Sequence, residues 1–289
     1  MDDEEQRDAP AVDEHNRLTE EFQASGIDPS ELGFYDQPAF LAMEEHDKNY
    51  IQKYAEWIIS RPMDADYEAH VRTIVPKLAA IIASALATDI MPGACITAYG
   101  MMTRMLDRLG VWSFGLYGSA NLYVPQRGLH QSFHALDFDP GPNSVTGHAW
   151  LCVPPYLIAD ASLAFQDWAD AQMADVVPQV VLVDDTAATV IQPTVEDCAG
   201  EAFRNFRGRQ LPLTGPELLH CLEPRFAAFG QRFPAHEVAL GELTVRYVPV
   251  VVRLPSLRLE HINLETEWGR SAITIWNDVV APAFGLQLG

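Results

Sequence analysis

Large apolar residues recur at Phe40, Leu41, Tyr50, Ile51, Tyr54, Trp57 and Ile58. That spacing lines one face of a helix over 38–60, which Arg61-Pro62 closes. A second helix is predicted over about 66–88, disturbed at Pro76. Pro92-Gly93-Ala94 breaks the chain, and Ile96, Tyr99, Met102, Met105, Leu106 and Leu109 then form the apolar face of a third helix that Gly110 stops. Beyond Gly110 the period shortens. Strands are predicted at 111–117 and 120–124 around Gly118-Ser119, and 148–153 and 156–162 flank Pro154-Pro155 as a hairpin. Further strands are expected at 180–183, 188–191 and 243–254, where Pro249 implies an edge or a bulge. Helices are predicted over 215–229 and 267–280. Helices first and strands afterwards indicate the α+β class, and no internal repeat interrupts the order.

Charge divides the chain. The formal net charge of the 289 residues is -21, and residues 1–50 hold 15 acidic side chains against three basic ones. The acidic segment 1–28 carries few large apolar residues and is expected to be a disordered tail. A core over 29–195 and a C-terminal α/β extension over 196–289, separate or part of the same domain, complete the expected organisation. Phosphate backbones would be repelled, which argues against a nucleic-acid partner, whereas a cationic substrate would be attracted. No uncharged apolar run reaches 18 residues; the nearest, 78–88, ends at Asp89. The start, Met-Asp-Asp-Glu-Glu, has neither a basic nor an apolar leader region, so a soluble, cytoplasmic protein without a membrane partner is expected.

Cysteines stand at 95, 152, 198 and 221, with no CxxC pair, so neither a zinc site nor a disulfide framework is expected. Free thiols leave room for a nucleophile. Cys95 opens the third predicted helix, where unpaired N–H groups and the positive end of the helix dipole favour a thiolate. His148 and Asp160 lie twelve residues apart across the Pro154-Pro155 turn, which predicts cross-strand neighbours on one face. A carboxylate there would fix the imidazole tautomer and leave its other nitrogen to take the thiol proton.

Rival sites are weaker. His130 and His134 could share a helical face, but the intervening Gln-Ser-Phe lacks the Glu of a zinc-protease motif. Asp137, Asp139 and Asn143 depart from a calcium loop, with Pro142 at its glycine position and His148 in place of its last Glu. No metal and no organic cofactor is expected.

Gly93-Ala94-Cys95, Leu109-Gly110-Val111, Gly118, Gly147-His148-Ala149-Trp150 and Tyr156-Leu157-Ile158-Ala159-Asp160 together resemble the transglutaminase-like superfamily of papain-like cysteine enzymes, over about residues 90–165. The family commonly has Trp where this chain has Tyr156, and Asp-Pro-Thr where it has Asp160-Ala161-Ser162. A papain-type Gln six residues before the nucleophile is replaced by Asp89. The resemblance implies a papain-like core with N-terminal helices packed on an antiparallel sheet, Cys95 as nucleophile, His148 as base and then acid, and Asp160 as its orienting residue. Trp150 and Tyr156 are the expected substrate-binding residues. The implied activity is acyl transfer or amide hydrolysis on a protein, peptide or small amide, through a thioester on Cys95. The alternative is an inactive scaffold of the same fold.

Overall fold

The computed structural model describes residues 2–89, 93–136, 147–201, 217, 219, 224–262 and 269–287. Five long helices come first: α1 (Asp2–Ala24), α2 (Pro38–His46), α3 (Tyr50–Ser60), α4 (Ala65–Asp89) and α5 (Cys95–Arg108). Among the described residues eight strands follow: β1 (Phe114–Val124), β2 (Leu129–Phe133), β3 (His148–Val153), β4 (Tyr156–Asp160), β5 (Val181–Asp184), β6 (Ala188–Ile191), β7 (Ala235–Leu240) and β8 (Leu243–Arg253). They form one antiparallel sheet in the order β5-β4-β3-β1-β8-β7-β6, with β2 also paired to β1. The α+β class is observed. β7 and β8 lie in the same sheet as β3 and β4, so the described strands of the segment 196–289 complete the core rather than standing apart.

The alternation of side chains sorts the core into two layers. On one face Trp150, Cys152, Phe114, Leu116, Val245 and Tyr247 pack towards the aromatic side chains of α1–α3. On the other, Leu151, Val153, Ala159 and Ala161 pack on α4, α5 and the C-terminal helical turns that include Ile275 and Trp276. Helices therefore cover both faces. Among the described residues α4 is the one helix long and apolar enough to cross a membrane, and its Val75, Leu78, Ile82 and Leu86 are buried in this second layer.

Residues 1–28, expected to be disordered, instead carry α1. Leu18 and Phe22 are fully buried, and the Phe22 ring meets Phe34 edge-on at 5.1 Å. Burying each such side chain stabilises by roughly 1.5–3 kcal/mol. Net charge hid a narrow apolar stripe, and Arg17 bonds to Glu14 and Glu21, offsetting part of the local repulsion. The single helix expected over 38–60 is two. Asp47 is extended and its carboxylate accepts the Asn49 N–H, a local alternative to continuing the helix. Pro76 leaves α4 continuous.

The two strands expected around Gly118-Ser119 are one, β1. Its pairing with β8 steps from Tyr117–Val251 to Gly118–Pro249, so β8 bulges there and yet runs between β1 and β7, not at an edge. Gly118 is required by that bulge: a Cβ on it would stand 2.0 Å from the Val248 carbonyl oxygen. The strands β2 and β7 have no counterpart among the expected elements. The helix expected over 215–229 is described chiefly as Pro224–Arg232, and that over 267–280 as short turns from Ala272 to Ala283.

Candidate active site

Cys95 is the first residue of α5. Gly93 precedes it with a positive φ of 72° and donates its N–H to the Phe165 carbonyl at 2.8 Å, which turns the chain sharply into the helix. The first intrahelical bond runs from the Ala98 N–H to the Ala94 carbonyl, at 2.8 Å. The N–H groups of Cys95, Ile96 and Thr97 thus have no intrahelical acceptor. At the far end of α5, Gly110 has a φ of 79° and the Val111 N–H reaches back to Leu106, which fixes the exit into β1. Cys95 is only 1% exposed, while the adjacent Ile96 is 41% exposed. The nucleophile candidate sits one residue below the surface.

His148 begins β3, opposite Gly118. Residues 114–118 of β1 pair with β3, and residues 120–124 pair on the same side with β2. The partners part company at Ser119, and His148 stands at the split. Gly147 makes this possible: a Cβ there would lie 2.6 Å from the Gly118 carbonyl oxygen and 2.9 Å from the Tyr117 hydroxyl.

Asp160 ends β4. The hairpin pairs Leu151 with Ala159 and slips between Leu151 and Val153. It is therefore offset from the register expected for a turn centred on Pro154, and the two side chains meet diagonally rather than directly across. His148 Nε2 nonetheless lies 2.6 Å from Asp160 Oδ2. The other oxygen, Oδ1, accepts the Ser162 N–H (2.8 Å), the Ser162 hydroxyl (2.9 Å) and the Leu163 N–H (3.0 Å). The Tyr247 hydroxyl donates to Oδ2 at 3.1 Å. Below the imidazole, Trp150 lies nearly parallel at 6.2 Å, and Tyr247 crosses Trp150 edge-on at 5.0 Å.

Electrostatics follow from these contacts. Burial alone would disfavour a charged imidazole, but the Asp160 carboxylate and its hydrogen bond, helped by the Cys95 thiol, outweigh it and raise the His148 pKa above the usual histidine range. Burial likewise opposes charge on Asp160, and His148 together with the Ser162 donors overcomes it, holding the carboxyl below its ordinary value. With Nε2 committed to Asp160, Nδ1 is the nitrogen left for a thiol proton. It is buried and makes no hydrogen bond.

The remaining expectations divide. Trp150 belongs to the site, and with Leu116, Cys152, Leu157 and Tyr247 it lines an apolar cavity of about 350 Å³. Tyr156 does not. It stands at the opposite end of β4, under Arg72 of α4 at 5.8 Å, because the strand carries it about 13 Å from Asp160. Ser162 and Tyr247 are the site residues that sequence reasoning missed as donors. Ser162 stood in the Asp-Ala-Ser segment and was legible there; Tyr247 comes from β8, with no local signal linking it to Asp160.

His130 lies on strand β2, stacked on Tyr123, and His134 follows it near the Glu196 carbonyl, so no shared helical face exists. Among the described residues no three metal-ligating side chains cluster. Asp89 pairs with Arg270 at 3.3 Å. Burial pushes the Cys152 thiol up to about 12, and it raises that of Cys198 as well. Asp137, Asp139, Asn143 and Cys221 lie outside the described residues. No family model, no curated protein and no solved structure matches this chain.

Proposed function

We propose that the protein is a transglutaminase-like cysteine hydrolase or acyltransferase with a Cys95-His148-Asp160 triad. The observation that carries this reading is the buried imidazole: its Nε2 is held by an ionised carboxylate, while its Nδ1 is unpartnered and beside the thiol at a helix N-terminus. In this reading Nδ1 takes the Cys95 proton and the thiolate attacks a carboxamide or peptide carbonyl. The free N–H groups at the start of α5 face the developing oxyanion, and the imidazolium passes its proton to the leaving amine. The thioester then goes to water, as in a peptidase or deamidase, or to an amine, as in a transglutaminase. No cofactor is needed for these steps. The site's exclusion of water strengthens each electrostatic contribution.

One observation favours the alternative, an inactive scaffold: Nδ1 of His148 makes no hydrogen bond. Alkylation of Cys95 by iodoacetamide across pH 5–9, in wild type, His148→Ala and Asp160→Asn, separates the two. A triad requires that His148→Ala shift the profile to higher pH most, with Asp160→Asn intermediate. It also requires Cys95 to react before Cys152 and Cys198. Three superimposable profiles would leave the scaffold.

A further inference from the structure

Acidic residues outnumber lysine and arginine 40 to 19, so most cations should find a carboxylate. Arg253, at the end of β8, is exposed and among the described residues meets none. Its position connects it to the candidate site by two routes. Arg253 pairs with Gly115 of β1, and a Cβ on Gly115 would stand 2.9 Å from the Tyr99 ring and 2.8 Å from the Arg253 carbonyl oxygen. Tyr99 lies one helical turn after Cys95, on the same face of α5. By the second route, the Arg253 guanidinium lies 5.8 Å from the Tyr117 ring centroid, and a Cβ on Gly147, beside His148, would stand 2.9 Å from the Tyr117 hydroxyl. The Tyr99 phenol registers both ends: burial raises its pKa, Arg253 lowers it and Cys95 raises it again.

We propose that Arg253, braced by Tyr99 and Tyr117, is a specificity residue that binds an anionic group, a carboxylate, on the substrate of the Cys95 site. An exposed guanidinium that meets no carboxylate among the described residues keeps its planar donor fork for such a group. The inference rests on the proposed function and reverses the expectation that net charge selects a cationic substrate. The Debye length at physiological salt is about 8 Å, so exposed acidic side chains farther than that from the guanidinium are largely screened.

The test compares two alkylating probes of nearly equal size, anionic iodoacetate and neutral iodoacetamide, on Cys95 in wild type, Arg253→Gln and Arg253→Lys. Arg253→Gln should lower the iodoacetate-to-iodoacetamide rate ratio about threefold or more at low salt, and Arg253→Lys should retain most of it. The wild-type preference should fade as salt rises. A ratio unchanged in Arg253→Gln, with Cys95 still reacting in a His148-dependent way, overturns the subsite and leaves the proposed function intact. If neither probe reaches Cys95, both fall together.

Discussion

Asp160 and Asp107 both carry carboxylate oxygens shut away from water, and they end in opposite states. Asp160 accepts five hydrogen bonds, from His148, the Ser162 N–H and hydroxyl, the Leu163 N–H and Tyr247. Those donors overcome burial, and the carboxyl stays ionised. Asp107, near the end of α5, accepts the Tyr35 hydroxyl at 2.6 Å on Oδ2 and nothing on Oδ1. The neighbouring Arg104 spends its guanidinium on Asp36 and on the carbonyls of Pro255 and Leu257. Burial therefore dominates, and the Asp107 carboxyl is pushed up to about 7. Enclosure by itself predicts neither state; the number and charge of the donors decide it. The helix that begins with the candidate nucleophile thus ends beside a carboxyl poised near neutrality, while the buried ion pair of the candidate site is concentrated on the β3–β4 hairpin.

The largest expected effect comes from Asp160→Ala. It strands a buried imidazole together with the Ser162 and Tyr247 donors, and loss of one partner from a buried pair costs about 3–5 kcal/mol. Urea unfolding at pH 7 measures it. A cost below about 1 kcal/mol would mean that the Asp160 environment is not the tight cage described. Asp107→Asn, by contrast, replaces a group already half protonated near pH 7 and should cost little.

The pH dependence should differ in sign between the two. A carboxyl raised in the folded state binds protons more tightly there, so its contribution is full below the unfolded pKa near 3.9 and is lost as pH rises towards 7. For Asp107 that loss is at most about 4 kcal/mol, from a shift of about three units at 1.36 kcal/mol each. Asp107→Asn should flatten the fall in stability between pH 5 and 7. Asp160, lowered in the folded state, contributes above the ordinary carboxylate range and loses its contribution as pH falls. His148, raised, contributes below the unfolded value near 6.5 and loses it as pH climbs above that range. Unfolding midpoints of wild type and Asp107→Asn across pH 4–8 test the comparison, and parallel curves would refute it.

The smallest effect is Tyr247→Phe. Removing one of five donors should cost about 1 kcal/mol and shift the Cys95 alkylation profile far less than Asp160→Asn does. A shift as large as that of Asp160→Asn would make Tyr247 a principal determinant of the imidazole's charge, not one donor among several.

Much of the site was legible because its parts are local. Gly93 before Cys95, Gly147 before His148 and the Pro154-Pro155 turn each act within a few residues, through φ angles, close backbone approach and chain reversal. Where expectations failed, the deciding contact was distant. Tyr156 was assigned to the substrate by its place in a motif, yet α4 claims it. The segment 1–28 was taken as disordered from its charge, yet Leu18 and Phe22 are drawn under Phe34, a partner that no local pattern names.

By itself the sequence determined the α+β order, the start and stop of α5, and the hairpin that brings His148 and Asp160 together, since periodicity, glycine and proline act over one or two turns of chain. Only the tertiary structure decided that β8 inserts beside β1, that Tyr247 joins the Asp160 cage, and that Arg253 comes to rest over the Tyr117 ring. Those outcomes depend on sheet order and strand register, which arise from long-range pairing and the packing of both sheet faces and leave no short-range mark on the sequence.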